Sequence, residues 1–316
     1  MLNVLKPYAR AIKYRRLWRR AQRQADRADR ASTAQSLPPI AFFFGCGRSG
    51  TTVLGHIFME HPQVCYLFEP YHLWAAIDPI TDAVNLYVRG DARLLLDEQH
   101  VTDKTRQRFT RLMGAAFAAS GAQLLIEKTP MNLLRIGYLE ALAPGARYVH
   151  IVRDGADVAR SIDRLATQSS YKIAGKPLMN QWWGVDNSKW KFLARDGAAA
   201  GYFPQEVDQL KTEEAKGAYE WLVSLGEADR WRQRLGERLH ELSYADLTCK
   251  PQETLRRICT HLGLAIPQDW LDRAAAMLDG QRKNSGRPVK LPPAMCRAFN
   301  EYQERYGFEN RALPSE

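Results

Sequence analysis

Gly45-Cys46-Gly47-Arg48-Ser49-Gly50-Thr51-Thr52 has the composition of an anion cradle. Glycines let backbone N–H groups converge on one point, and a following helix adds the positive end of its dipole, so phosphate is the anion such a loop suits. The spacing of Gly45 and Gly50 matches nucleoside-triphosphate loops, but Thr51 stands where their lysine belongs. Nor does an Asp end the later apolar run Tyr148 to Val152, where the acidic holder of magnesium would stand; Arg153 follows instead. The expectation is phosphate chemistry with no metal. A glycine-rich turn that binds nothing is the alternative.

The loop has the flanks it needs. Ile40-Ala41-Phe42-Phe43-Phe44 is a continuous apolar run of buried-strand length, set off by Ser36-Leu37-Pro38-Pro39, and a helix is predicted over 50–60. Further along, the pattern predicts strand 64–68, helical stretches to about 119, strand 124–127, helix 131–142, strand 147–152 and helix 155–166. Such alternation favours an α/β fold, a central parallel sheet flanked by helices on both faces. Residues 170 to 204 show no clean period and read as a long functional loop. Regularity returns with helix 206–234, a strand near 239–244, and helices near 251–262 and 267–279. Two divisions follow: a basic helical arm, 1–37, and one enzyme-sized domain, 38–316.

Motifs in order along this frame resemble those of sulfotransferases that use 3'-phosphoadenylyl sulfate (PAPS). The likeness is to the Golgi-type and tyrosylprotein branches and their bacterial relatives, which carry G-x-x-R-S-G-T-T at the loop. It continues through His61-Pro62-Gln63-Val64 and Glu69, Glu127-Lys128-Thr129-Pro130, Val152-Arg153-Asp154-Gly155 with Ser161, and Tyr244-Ala245-Asp246-Leu247. Over roughly 40 to 262, the resemblance implies a P-loop-type sulfotransferase that moves a sulfuryl group from PAPS to an acceptor hydroxyl, with carbohydrate the leading class.

The same resemblance assigns roles. Gly47, Arg48, Ser49, Gly50, Thr51 and Thr52 would cradle the 5'-phosphosulfate. Arg153 and Ser161 would hold the 3'-phosphate, with Arg164 assisting; a surface ion pair of Arg153 with Asp154 or Asp157 is the competing reading. Glu69, at the end of its strand, would be the general base, with His72 as rival. Arg48 and Lys128 would stabilise the sulfuryl and bridging oxygens. Lys128 and Glu127, adjacent in a strand, should point to opposite faces. The basic stretch from Arg282 and Lys283 to Arg287 lies where the family closes over its donor. Trp182, Trp183 and Trp190 suit either an acceptor pocket or core anchoring. A P-loop small-molecule kinase and a non-catalytic nucleotide-binding scaffold are the rival functions.

Composition sets the remaining bounds. The 316 residues are 45% hydrophobic and 25% charged, ordinary for a globular chain. Five cysteines without ligand spacing argue against a disulfide framework or zinc site and favour a reducing, cytoplasmic location. Of the formal charge of +10, residues 1–36 carry +8, ten Lys or Arg against two Asp. The body's remaining charge of about +2 does not suit nucleic acid. The arm reads as a helix leaning on the domain, as a peripheral contact with anionic membrane, or as a mitochondrial transit peptide.

Overall fold

The computed structural model describes residues 2–31, 36–278 and 287–315. Its chain order is α1 (Leu2–Arg30), β1 (Ile40–Phe44), α2 (Thr51–Met59), β2 (Val64–Phe68), α3 (Tyr71–Ile77), α4 (Asp103–Ala118), β3 (Leu124–Lys128), α5 (Ile136–Leu142), β4 (Arg147–Val152) and α6 (Gly155–Gln168). Then come β5 (Ser170–Tyr171), β6 (Met179–Asn180), β7 (Gly184–Val185), α7 (Ser188–Ala199), α8 (Glu213–Leu235), β8 (Leu239–Ser243), α9 (Tyr244–Cys249), α10 (Pro251–Leu262), α11 (Gln268–Ala276), β9 (Val289–Leu291), α12 (Pro293–Arg305) and β10 (Ala312–Pro314).

The main sheet has strand order β2-β3-β1-β4-β8, all parallel. Parallel strands joined by helices bury both faces, which is why β1 is apolar throughout. Its alternate residues serve different layers. Phe42 and Phe44 pack with Trp74, Phe109 and Tyr138 beneath α3, α4 and α5, while Ala41 and Phe43 meet Leu54, Phe58, Ile258 and Trp270 of α2, α10 and α11. The chain runs from β1 out to β2 and back to β3 on one side, then builds β4 and β8 on the other. Its C-terminal edge therefore has a switch point at β1, where open α/β sheets place their ligands.

The arm is part of this packing. Ala21, Ala25 and Ala28, at helical spacing, are buried in the layer of α3 and α4, and Asp29 accepts two hydrogen bonds of 2.7 Å from Arg108 of α4.

Four expected elements differ. The region 170–204 is not an unstructured loop: it forms the short antiparallel sheet β5-β6-β7 and the helix α7. The helix expected from 206 starts at Glu213, where the Thr212 hydroxyl caps the backbone N–H of Ala215. Residues 130–135 wind as a 3₁₀ turn before α5, and the buried Arg135 at its end donates to the carbonyls of Thr81 and Arg93. The helix expected over 267–279 spans Gln268–Ala276, and residue 279 lies outside the described residues.

Candidate active site

The strand ends β1, β2, β3 and β4 deliver the loop, Glu69, Lys128 and Arg153 to one edge. Beyond β1 the loop is packed closely enough that a side chain would clash at Gly45, Gly47 and Gly50, the last two against aromatic rings. A Cβ on Gly47 would overlap the indole of Trp182, and one on Gly50, at φ 100°, would overlap the Tyr244 ring. Arg48 between them holds φ 73°, also in the left-handed region. Ser49 Oγ is buried and has no hydrogen-bond partner among the described residues. An orphaned hydroxyl inside a cradle of backbone donors is a place for an anion's oxygen.

Arg48 Nε donates 3.0 Å to Ser161 Oγ on α6, and the Arg153 guanidinium lies 3.4 Å from the Arg48 carbonyl oxygen. Burial, with repulsion from Arg153 and Arg164, holds the Arg48 pKa below its ordinary value. Arg153 and Arg164 are close enough to Arg48 to repel it, and a phosphate dianion would offset that cost. Arg153 also bonds Asp157 at 3.0 Å and lies 4.7 Å over the Tyr244 ring, so the ion pair and the place in the cleft coexist. Asp154 instead caps α6 through the backbone N–H groups of Ala156 and Asp157.

On the other side of the loop, Lys128 Nζ is 2.5 Å from Glu69 Oε1 and 3.4 Å from Thr52 Oγ1. The Lys128 side chain has no exposure, whereas Glu69 keeps 24%. Burial lowers the lysine's pKa and the adjacent carboxylate works against that. Glu69 takes φ 41°, a left-handed conformation directly before Pro70, where the extended region is normally favoured. Such strain costs on the order of 1–3 kcal/mol and collects at functional sites. As expected of neighbours in a strand, Glu127 points away from Lys128: it is wholly buried and accepts from Trp74 Nε1, Asn132 Nδ2 and Thr129 Oγ1. His72 packs beside Tyr87, with Arg20 of the arm close enough, together with burial, to depress its pKa.

Beside the loop lies a cleft of about 420 Å³, within the size range of small-molecule sites; Arg48 and Arg153 line it, and Glu69, Lys128 and Ser161 do not. Thr51, Thr52, Val53 and His56 of α2 contribute to its lining with Tyr244, Met277 and Leu278. Val53, His56, Met277 and Leu278 are additions that no local motif announces. Arg282 and Lys283 lie outside the described residues. Trp183 is a buried anchor that donates to Glu213, and Trp190 stands edge-on between it and Tyr219. Trp182 differs, for its ring covers Gly47. Its Nε1 donates to Glu220 at 3.0 Å, and Lys189, paired with the same carboxylate, lies 3.9 Å over the ring.

The profile described as the sulfotransferase family matches residues 39–268, which contain the loop and each strand-end residue above. The chain belongs to the sulfotransferase family. Two relatives are similar over part of it: the nodulation protein NoeE of Sinorhizobium fredii, 29% identical over 132 residues (40% of this chain, 31% of that protein), and protein-tyrosine sulfotransferase 1 of Danio rerio, 27% identical over 150 residues (46% and 41%). The matches thus span less than half of either relative's own length. Among solved structures, sulfotransferase STF9 from Mycobacterium avium shares the fold with TM-score 0.52 at 13% identity, over 88% of this chain and 79% of that one. A sulfotransferase domain from the curacin biosynthetic pathway does so with TM-score 0.50 at 16% identity, over 88% and 100%.

Proposed function

We propose that the protein transfers the sulfuryl group of PAPS to an acceptor hydroxyl, with Glu69 as general base. The observation that carries this is the two-sided arrangement about the loop: Arg48 bonded to Ser161 with Arg153 and Arg164 near it on one side, and the Lys128–Glu69 pair on the other. A donor with phosphate at both its 5' and 3' positions matches two anion sites, and the loop with its orphaned Ser49 hydroxyl suits the 5' side. Val53, His56, Tyr244, Met277 and Leu278 offer apolar and aromatic walls to a base between them.

In the reaction, the acceptor oxygen forms a bond to sulfur as its proton passes to the Glu69 carboxylate. The bond from sulfur to the phosphate's bridging oxygen breaks, and that oxygen leaves with the electron pair. Lys128, within reach of Thr52 in the loop, is placed to stabilise the charge that grows there. Carbohydrate is the acceptor class we favour, by resemblance to the sugar-modifying branches of the family, and a cytoplasmic location remains part of the proposal.

The test is selective stabilisation by the nucleotide product. Adenosine 3',5'-bisphosphate should raise the melting temperature well above the effect of adenosine 5'-monophosphate, because a ligand that favours the native state stabilises by mass action. Arg153→Ala should remove most of that difference. Equal stabilisation by the two nucleotides would overturn the assignment of the 3'-phosphate site.

A further inference from the structure

The arm is two different surfaces on one helix. From Trp18 onward α1 belongs to the body, through Ala21, Ala25 and Ala28 in the core and Asp29 with Arg108 and Lys104. Before Trp18 it touches the body along one edge only. There the Pro7 carbonyl accepts from the backbone N–H of Ala174 at 3.1 Å, Arg10 reaches the Lys172 carbonyl, and Tyr14 meets Tyr87 and Tyr171.

Away from that edge stand Leu5, Tyr8 and Ile12, exposed by 64%, 61% and 51%. Their spacing of three and four residues places them along one line of the helix. Of the eight large hydrophobic side chains exposed among the described residues, these three fall within two turns, so they form a stripe rather than a scatter. Continuing along the same side, the next positions are Arg15, Arg16, Arg19 and Arg23, all exposed. Between residues 2 and 25 there are eight Lys or Arg and no Asp or Glu.

We propose that this face docks on an anionic lipid bilayer, with Leu5 and Ile12 in the acyl boundary, Tyr8 at the head-group level and the arginine row on lipid phosphates. Apolar depth followed by unopposed guanidinium charge matches the layers of such a surface in order. A second copy of the chain is a poor occupant, since it would bring two acid-free arginine rows together. No described helix is long and apolar enough to span a membrane. The docked face would hold the body at the surface by the helix half that the core does not use.

The test is sedimentation of the full chain with vesicles of phosphatidylcholine alone and of phosphatidylcholine and phosphatidylserine in equal parts. Binding to the mixed vesicles should exceed binding to the neutral ones by about tenfold or more and fall with added salt. Leu5→Ser/Tyr8→Ser/Ile12→Ser should lose about tenfold on mixed vesicles, and Arg15→Gln/Arg16→Gln/Arg19→Gln should abolish the preference for them. The single variant Ile12→Asp should weaken binding in the same direction, in case the triple change disturbs folding. Stabilisation by adenosine 3',5'-bisphosphate should be unchanged in every variant, so failure here is distinguishable from failure of the donor assignment. Equal vesicle binding by all variants would overturn the proposal. So would polyglutamate that displaces the wild type and both stripe variants equally well, which would mark a charge-only contact with acidic protein. A concentration-dependent dimer that the triple serine variant abolishes would assign the stripe to self-association instead.

Discussion

Two glutamates at the ends of paired strands were given opposite surroundings. β2 and β3 run parallel, with Leu67 opposite Glu127 and Phe68 opposite Lys128. Glu127 points into the layer beneath α3, where three donors converge on it and water does not reach. Burial outweighs those donors, and its pKa is pushed up to about 7. Glu69 is one step past its strand, in a strained backbone conformation, partly open, paired with Lys128 and in hydrogen-bond reach of the Tyr71 hydroxyl. A carboxylate whose acceptor positions are filled can hold a fold together. One that is only partly enclosed retains capacity to take a proton. The strain at Glu69 and the satisfaction at Glu127 are complementary, since Glu127 ties together Trp74, Thr129 and Asn132 on either side of the strand end that presents Lys128.

Exchanging the chemistry of these positions is the sharpest way to break the contrast. Glu69→Gln should reduce turnover by about a hundredfold or more while leaving affinity for adenosine 3',5'-bisphosphate close to wild type. Calorimetric titration beside a sulfuryl-transfer assay checks both halves, and near-normal turnover would move the base elsewhere. Lys128→Ala should cost up to about a hundredfold in turnover through the leaving oxygen, and it should also weaken product binding. A variant with full affinity would remove Lys128 from the donor side.

The smallest expected effect is on the buried acid. Glu127→Gln should leave turnover within about threefold and show itself in stability instead. A carboxyl whose folded pKa lies above its ordinary value of 4.5 contributes stability that is present in full below that value and lost as pH rises toward 7. Between those limits the wild type should lose on the order of 3 kcal/mol relative to Glu127→Gln, with no further divergence above pH 7. Parallel denaturation curves would mean that Trp74, Thr129 and Asn132 keep the acid ionised, and the contrast with Glu69 would narrow.

Much of this edge was legible in the residues. β1, β2 and β4 end where their apolar runs meet glycine, glutamate or arginine, and α10 spans the residues its periodicity indicated, because burial on a sheet face or helix stripe is what those patterns record. The segment 170–204 was not legible for the converse reason. α7 turns Ser188, Lys189 and Asp196 inward, where Ser188 bonds the Ala83 carbonyl, Lys189 pairs with Glu220, and Asp196 accepts from the backbone of Leu94. A helix anchored by partnered polar groups has no apolar stripe to find. The start of α8 did carry a signal in Thr212 and the acids after it, outweighed by the apolar Val207 and Leu210 upstream. The bond from Arg48 to Ser161 and the wall from Val53 to Leu278 join elements far apart in sequence, and only the assembled sheet edge brings them together.

The ring over Gly47 has a consequence for how the protein comes into being. The loop and its strand are made early in the chain, yet Trp182, and the Lys189 and Glu220 that hold it, are contributed far later, after four strands of the main sheet have been laid down. During synthesis the loop must wait, uncovered, for a distant indole. Loop closure over so long a separation is slow relative to local helix formation. The cover over Gly47 therefore forms among the long-range contacts of the fold rather than together with the loop itself.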